Sequence, residues 1–356
     1  MAKHGRGSAK VEAILKKELA GGSFSVGQYL PGVRELGRKH GVSPETVRRA
    51  LKHLETEHWV TTHARHGFKV TGQANDPHRA APFAYVCGDQ PDDSWGGIVG
   101  VRLAALNVAA NHRGWSTLGV PAAQRSAKAV IDQLLASRVS GVILDASDEK
   151  LHAAVQKLGI PAVMADTWIS GSRFDAVIQD NFGGAMQAVA YLVERGHSRI
   201  AWVGTAAGIQ GLERWAGVMA GLRRFNLFMP ADFMVSSDDG PGIRALLSRP
   251  DRPSGVVAPW ASAASTVLHA GMELGLRPGS DLEVVGWCPE EFYSQTRDML
   301  PPGHMIPQIV WSIRDMAEAC IARLAERRAH PDLHTIRLNV ETRLRMPDDN
   351  QEGASA

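Results

Sequence analysis

Long apolar segments and cysteines are both scarce in this sequence. No run of about 18 apolar residues occurs, so we expect no membrane-spanning helix. The three cysteines, Cys87, Cys288 and Cys320, are far apart and odd in number. This usage argues against a disulfide framework and a zinc site, and it indicates a reducing compartment. Because the N-terminus also lacks the apolar stretch of a signal peptide, we expect a cytoplasmic protein.

Motifs for phosphate binding and for nucleophilic catalysis are absent as well. The chain beyond residue 75 has no Gly-x-Gly-x-x-Gly, Walker or Gly-x-Ser-x-Gly sequence. Its only lysines there are Lys128, Lys150 and Lys157, which argues against a Schiff-base lysine. The consecutive acids at 238–239 precede Gly-Pro and favour a loop or helix cap over an acid–base pair. We therefore expect no enzyme, no catalytic residue, no metal site and no cofactor.

Basic residues are concentrated at the N-terminal end. Residues 1–75 contain 13 lysines and arginines and 6 acidic residues, a formal charge of +7, whereas the remainder carries −5. A basic segment on an acidic remainder is typical of a polyanion-binding module joined to a part that need not touch the polyanion. A merely solvated basic face would give the same count.

Three helices are predicted in this basic segment. Apolar residues recur at helical spacing between Val11 and Leu19, and the following Gly21-Gly22 ends that helix. A second, short helix opens after Pro31, and the turn Gly41-Val42-Ser43 separates it from a third. Two short helices joined by a glycine-containing turn indicate a helix-turn-helix.

The third helix has a clear start and a clear apolar face. Ser43 is a suitable N-cap, and Pro44 suits the first helical position. One face of this helix carries Val47, Ala50, Leu51 and Leu54. After it, two β-prone runs around Gly67 predict a hairpin, the wing.

These features together resemble the GntR-family winged helix. The motifs are Leu30-Pro31-x-x-Arg34-Glu35-Leu36, Gly41-Val42-Ser43-x-x-Thr46-Val47-Arg48-x-Ala50-Leu51 and Gly67-Phe68-x-Val70. The resemblance implies an α+β winged helix-turn-helix domain at residues 1–72 that binds double-stranded DNA. It implies DNA contacts from Arg34, Ser43, Thr46, Arg48, Arg49, Arg65, His66 and Lys69.

Two of these positions need comment. Pro44 stands where many members of the family carry arginine, so we expect base readout to depend on Thr46, Arg48 and the wing. For Arg49 a solvent-facing role is an equal alternative, and Lys69 is expected at a phosphate.

The rest of the chain alternates short apolar runs with helical patterns. Residues 73–82 are polar with two prolines and predict a linker, and residues 347–356 predict a disordered tail. Strands are predicted at Phe83–Cys87, Gly141–Leu144, Ala162–Ala165, Ile200–Val203, Gly255–Ala258, Glu283–Gly286 and Thr335–Leu344, with a long helix at Ile309–Arg328. This alternation predicts parallel sheets covered by helices, with ligands beyond the carboxyl ends of the strands.

Several motifs in this part resemble the LacI-type regulators and periplasmic sugar-binding proteins. They are Asp180-Asn181-x-Gly183-Gly184, Gly196-His197-x-Arg199-Ile200 and Glu213-Arg214-x-x-Gly217, within residues 83–345. The resemblance implies a two-lobed α/β domain of the type I periplasmic-binding-protein class at 83–346, with a small effector between the lobes. One lobe would comprise about 83–178 and 291–325, the other about 179–290 and 330–346.

The resemblance also implies an effector site. Arg214 matches the family arginine that holds a ligand hydroxyl or carboxylate, with a structural salt bridge to Glu213 or another acid as the alternative. Asp180 matches an acid that lies in the cleft or caps a helix. The family pattern has Asn-Asp where this chain has Trp260-Ala261, and an aspartate after Gly-Phe where this chain has Gly286-Trp287-Cys288. We expect an aromatic floor for a sugar or another flat ligand, or alternatively packing, from Trp95, Trp168, Trp260 and Trp287.

The resulting expectation is a ligand-responsive transcription regulator. It would act as a repressor, bind a palindromic operator as a homodimer and sense a sugar or related molecule, without membrane contact. Two alternatives stay open. The body is a dimerisation scaffold without an effector, or the protein is an enzyme with a regulatory head.

Overall fold

The computed structural model describes residues 4–20, 24, 28–56, 59–63, 67–70, 81–88, 97–146 and 148–347. Of the predicted site residues, Arg65, His66 and Trp95 lie outside this part of the chain. Most of the predicted linker and of the predicted tail lies outside it too.

The N-terminal head is a winged helix-turn-helix, as predicted. Its elements are α1 (His4–Ala20), α2 (Val33–His40), α3 (Pro44–Thr56), β1 (Val60–His63) and β2 (Gly67–Val70). The predicted apolar face of α3 is fully buried against α1 and α2. The two strands pair antiparallel, from Val60 opposite Val70 to His63 opposite Gly67, and form the wing.

The turn between α2 and α3 depends on its glycine. Gly41 adopts a left-handed conformation, with φ of 64°, and its N–H bonds to carbonyls of the last turn of α2. Glycine reaches this conformation without steric cost, so the three residues 41–43 suffice to connect α2 to α3. Ser43 then caps α3, since its Oγ accepts a hydrogen bond from the N–H of Thr46 at 3.2 Å.

The body contains two six-stranded, mostly parallel sheets. The first sheet has the order β13-β7-β6-β5-β3-β4 and the second the order β14-β12-β11-β10-β8-β9. The strands are β3 (Phe83–Cys87), β4 (Thr117–Pro121), β5 (Gly141–Asp145), β6 (Ala162–Ala165), β7 (Asp175–Gln179), β8 (Ile200–Val203), β9 (Met234–Val235), β10 (Gly255–Val257), β11 (Glu283–Pro289), β12 (Gln308–Trp311), β13 (Arg337–Val340) and β14 (Thr342–Arg345). Most of these strands are buried throughout, as expected when helices cover both faces of a sheet.

Helices cover the sheets. They are α4 (Ile98–Asn111), α5 (Ala127–Ala136), α6 (Glu149–Lys157), α7 (Asn181–Glu194), α8 (Gly208–Arg224), α9 (Gly240–Leu247), α10 (Ala261–Glu273), α11 (Thr296–Met299) and α12 (Ile313–Ala329). Helices α4, α5, α6 and α12 belong with the first sheet, and α7 to α11 with the second. Each sheet with its helices forms one lobe, which confirms the two-lobed α/β body.

The chain passes between the lobes three times. Asp180 joins β7 to α7, Ser312 joins β12 to α12, and Glu341 joins β13 to β14. At each crossover a single residue separates the elements of the two lobes. The first and third crossovers touch, because the N–H of Asp180 donates to the carbonyl of Val340 at 2.8 Å.

The predicted boundaries near the C-terminal end were wrong. The predicted helix at 309–328 is a buried strand, β12, followed by α12, which begins after its cap Ser312. The predicted terminal strand at 335–344 is broken at Glu341, so β13 joins the first sheet and β14 the second. As a result, β12 lies in the second lobe and β13 in the first, the reverse of the expected division. Within the described residues, no helix is both long and apolar enough to cross a membrane.

Candidate nucleic-acid interface and interlobe cleft

The exposed face of α3 carries three charged side chains close together. Arg48 Nη1 lies 2.6 Å from Glu45 Oε2, and Arg49 Nε lies 3.8 Å from Glu45 Oε1. All three side chains are more than half exposed. The hydroxyls of Ser43 and Thr46 lie 2.8 Å apart and bond to each other. The start of α3 therefore presents a capped backbone and a cluster of one carboxylate and two guanidinium groups.

Two other predicted contact residues flank this helix. Arg34 is exposed in the first turn of α2 and, with Ser43 and Pro44, lines a surface groove of about 500 Å³ between α2 and α3. Lys69 lies on β2 of the wing, with its Nζ 5.8 Å from the centre of the Tyr29 ring. The structure thus brings Arg34 and Ser43 to one groove, and it places Lys69 on the hairpin.

In the body, Arg214 of α8 is a buried cation surrounded by neutral oxygens. It donates to Asn181 Oδ1 and Gln179 Oε1, both at 2.9 Å, and to the carbonyl of Pro259. Burial lowers its pKa to about 10, since the charged form is separated from water. The structure gives Arg214 no salt bridge to an acid among the described residues. The alternative role of a salt bridge to Glu213 is therefore not what the structure has.

Two of the predicted tryptophans pack on this guanidinium group. The centre of the Trp287 ring lies 4.2 Å from Arg214 Cζ, and that of Trp260 lies 5.3 Å away. Trp287 is only 2 % exposed because β11 continues to Pro289, and its Nε1 donates to Gln179 at 2.8 Å. These two rings enclose a protein cation, and Trp287 offers little surface to a ligand in this arrangement.

Asp180 caps a helix. Its Oδ1 accepts a hydrogen bond from the N–H of Gly183 at 2.9 Å, which satisfies the start of α7. Of the two roles expected for this acid, the structure shows helix capping.

Opposite Arg214, the first lobe contains a buried ion cluster that the sequence analysis missed. Arg102 of α4 contacts Asp145 at 2.7 Å and Asp166 at 2.8 Å. Tyr85 donates to Asp145 at 2.5 Å, and Gln179 Nε2 donates to Asp166 at 2.9 Å. Both acids stand at the carboxyl end of a predicted strand, and this position was the signal that would have found them.

The charges of this cluster perturb one another. Burial raises the pKa of Asp166, although the guanidinium group of Arg102 opposes the rise. Burial alone would lower the pKa of Arg102, but Asp145 and Asp166 outweigh it and raise that pKa above its usual value. Gln179 connects the two sides of the cleft, since it accepts from Arg214 and Trp287 and donates to Asp166.

A polar cavity of about 380 Å³ lies beyond the carboxyl ends of the first-lobe strands. Its polar lining includes Gln124, Arg125, Asp145, Asp148, Thr167 and, from α8 of the second lobe, Gln210. Thr167 is 3 % exposed, and its hydroxyl has no hydrogen-bond partner within the described residues. None of the predicted effector residues that the structure describes lines this cavity.

The lobes are also bonded directly to each other across the cleft. Trp168 Nε1 in the first lobe donates to Glu213 Oε1 in the second at 2.8 Å, and Gln210 donates to the carbonyl of Asp166. Arg337 of β13 donates to the same Glu213 oxygen at 3.4 Å, and its guanidinium group stacks on Trp168 at 3.8 Å. We call these four side chains, Trp168, Gln210, Glu213 and Arg337, the interlobe latch.

Family models match almost the whole of this architecture. Residues 8–70 match the model of bacterial regulatory proteins of the gntR family. Residues 90–248 match that of periplasmic binding proteins and the sugar-binding domain of the LacI family. Residues 189–345 match that of a periplasmic binding protein-like domain. The chain joins a GntR-type head to a LacI-type body.

Individual relatives and solved structures of other proteins also resemble this chain. An HTH-type transcriptional repressor PurR of Escherichia coli O139:H28 is 32 % identical over 170 residues, 45 % of this chain and 50 % of that protein. The chain thus spans about half the length of the curated relatives it matches. A transcriptional regulator CelR–cellobiose complex has a TM-score of 0.66 at 20 % identity, over 89 % of this chain and 99 % of that one. A LacI family regulator from Enterococcus faecium with bound ribose has a TM-score of 0.59 at 18 % identity, over 74 % and 96 %.

Proposed function

We propose that this protein is a DNA-binding transcription regulator that represses its target and responds to a small molecule. The observation that carries the DNA-binding part is α3, a capped helix behind a tight turn, with Arg48 and Arg49 exposed on a basic head. Such a helix enters the major groove with its N-terminal residues at the base edges. Paired as a homodimer, two heads would bind half-sites about one turn of DNA apart, which implies a palindromic operator.

The DNA-binding part is tested with a DNA duplex that the full-length protein selects from a randomised library. We expect Arg48→Ala to weaken binding to that duplex by roughly 10- to 100-fold in a gel shift at moderate salt, since a guanidinium–guanine pair is lost. Lys10→Ala is the charge-matched control, because Lys10 is exposed on α1 outside the recognition helix. Equal affinity of Arg48→Ala and the control for the selected duplex would refute the assigned role of Arg48.

The body supports an effector in the interlobe cleft. Its cavity of about 380 Å³ lies within the range of small-molecule sites, which is roughly 300–1,000 Å³. The lining is polar, and the buried Thr167 hydroxyl, which has no partner in the part of the chain that the structure describes, would bond to a ligand. Two structural neighbours have cellobiose or ribose in their names, so we propose a sugar or a related polyhydroxylated molecule. Such an effector changes DNA binding only if it prefers one arrangement of the lobes.

Thermal-shift measurements with ribose and cellobiose test the effector. A hit should disappear in Thr167→Val, which removes the cavity hydroxyl. It should persist in Thr117→Val, since Thr117 has another buried hydroxyl without a hydrogen-bond partner among the described residues, and it lies outside the cavity lining. By family resemblance, Arg214→Ala should abolish the response and leave DNA affinity intact. A normal response in this variant would contradict the role of Arg214.

A second candidate is a body that serves only as a dimerisation scaffold. The observation in its favour is that Arg214, Trp168, Trp287 and Asp180 already bond within the protein. Silence of a broad panel of sugars in the thermal-shift assay, together with intact operator binding, would support the scaffold.

A further inference from the structure

We infer that Glu45 is a specificity-determining residue that selects cytosine at one position of each operator half-site. This inference rests on the proposed DNA binding by α3. Glu45 occupies the second position of α3, with its side chain 56 % exposed and in contact with both arginines of the helix.

The neighbouring side chains leave the first turn of α3 with few other groups for base recognition. Pro44 has no polar side-chain atom. The hydroxyls of Ser43 and Thr46 bond to each other, and Ser43 also caps the helix. Glu45 is therefore the long, exposed polar side chain at the helix start, where recognition helices meet base edges.

The carboxylate limits which base it can meet. An ionised carboxylate only accepts hydrogen bonds, and it is repelled by the phosphates on either side of the groove. Among base edges in the major groove, the amino group of cytosine is the donor that glutamate pairs with in the usual side-chain code. The guanine and thymine edges offer no donor, and at adenine the N6 amino donor lies beside the acceptor N7, so the carboxylate discriminates by penalty as well as by attraction.

The contact with Arg48 makes the two readouts a unit. With 2.6 Å between Arg48 Nη1 and Glu45 Oε2, the guanidinium group is held beside the carboxylate. An arginine in this position pairs with the O6 and N7 atoms of guanine. A G·C base pair at one position, or guanine and cytosine at adjacent positions, then satisfies Arg48 and Glu45 at the same time.

A simpler role for Glu45 predicts a different result. An acid in the first turn also complements the positive end of the helix dipole. That role affects the stability of α3 equally on every DNA sequence, so it cannot change the base preferred at one position. Base preference therefore separates the two roles.

The experiment is selection of duplexes from a randomised library by the full-length protein, its Glu45→Gln variant and its Glu12→Gln variant. Glutamine pairs with adenine, so Glu45→Gln should change the preference at one position per half-site from cytosine to adenine, with discrimination altered by roughly tenfold or more. Glu12→Gln removes the same charge from α1, where Glu12 pairs with Lys16, and should keep the wild-type preference.

The other outcomes overturn the inference. An unchanged cytosine preference in Glu45→Gln would do so, and so would a uniform gain of affinity for all sequences, which is the mark of simple repulsion. Glu45→Ala serves as a second variant if Glu45→Gln is unfolded by circular dichroism, and it should lose the cytosine preference without gaining one for adenine. If the wild-type protein selects no sequence, the proposed DNA binding fails first and this inference falls with it.

Discussion

The two sides of the interlobe cleft each hold an arginine with little solvent exposure, but the two charges are compensated in different ways. On the first-lobe side, Arg102 contacts two carboxylates and its charge is neutralised. On the second-lobe side, Arg214 is held by amide and backbone oxygens and by two indole rings. Removing one partner of a buried ion pair leaves an uncompensated charge, whereas removing a neutral hydrogen bond does not. We conclude that the charge of Arg102 is compensated within the first lobe, whereas that of Arg214 has no carboxylate in direct contact among the described residues.

The largest effect is expected on the first-lobe side. Arg102→Met would leave Asp145 and Asp166 buried without their cation, at a cost of about 3–5 kcal/mol in the free energy of unfolding. Denaturant unfolding measures this loss. The control Lys128→Met removes an exposed pair with Asp132 and should cost no more than about 0.5 kcal/mol. A loss of similar size in both variants would show that the Arg102 cluster is not structural.

A smaller effect is expected on the second-lobe side. Arg214→Met keeps an aliphatic stem beside Trp287 and removes donors from neutral oxygens, so we expect a loss of about 1–3 kcal/mol in the same assay. A loss larger than that of Arg102→Met would reverse the comparison, because it would mean that Arg214 carries more of the stability than the ion cluster.

The interlobe latch is expected to contribute less again. Trp168→Phe keeps an aromatic ring beside Arg337 but loses the hydrogen bond to Glu213, which is worth about 0.5–1.5 kcal/mol toward lobe closure. Spin labels on cysteines introduced at Lys157 and Arg223, one in each lobe, should show a broader distance distribution. Trp115→Phe is the control, since Trp115 packs on Phe83 within the first lobe. An equal change in both variants would argue against the latch.

The smallest effect is a pH dependence at Asp166. The pKa of Asp166 is higher in the folded protein than in the unfolded chain. Its contribution to the free energy of unfolding is therefore fully present below the pKa of the unfolded chain and is lost as the pH rises through the pKa of the folded protein. The free energy of unfolding of the wild type, measured relative to Asp166→Asn, should therefore decrease from about pH 4 to pH 7. Urea unfolding at several pH values tests the sign, and an increase over this range would contradict it.

Much of the head and several strands of the body could be predicted from the sequence because local signals agree there, whereas β4, β7 and β9 were not predicted. At the turn after α2, a glycine with a left-handed backbone and a capping serine follow each other in three residues. Strands β3, β6 and β8 have the predicted bounds because each is a short, uninterrupted apolar run. The pairing of Glu45 with both arginines could not be predicted, since it depends on side-chain rotamers on an exposed helix face.

The cleft shows where local patterns fail. Ser312 is the only polar residue between Ile309 and Ile313, so the sequence pattern predicts one continuous helix across β12 and α12. Asp145 and Asp166 are 21 residues apart in sequence and meet only because parallel strands β5 and β6 end at the same edge. Trp287 was expected at a strand end, but β11 extends past it and buries the ring. In each case the structure depends on packing between elements that are distant in sequence, which a local hydrophobic pattern does not reveal.

The three one-residue crossovers restrict how the lobes move. A lobe cannot slide away from its neighbour, because Asp180, Ser312 and Glu341 leave no slack at any of the three connections. The remaining freedom is rotation about the line where the crossovers gather, with the backbone torsions of those residues as the pivots. The same arrangement makes the body tolerant of damage, since a protease cut at one crossover leaves the lobes tethered by the other two.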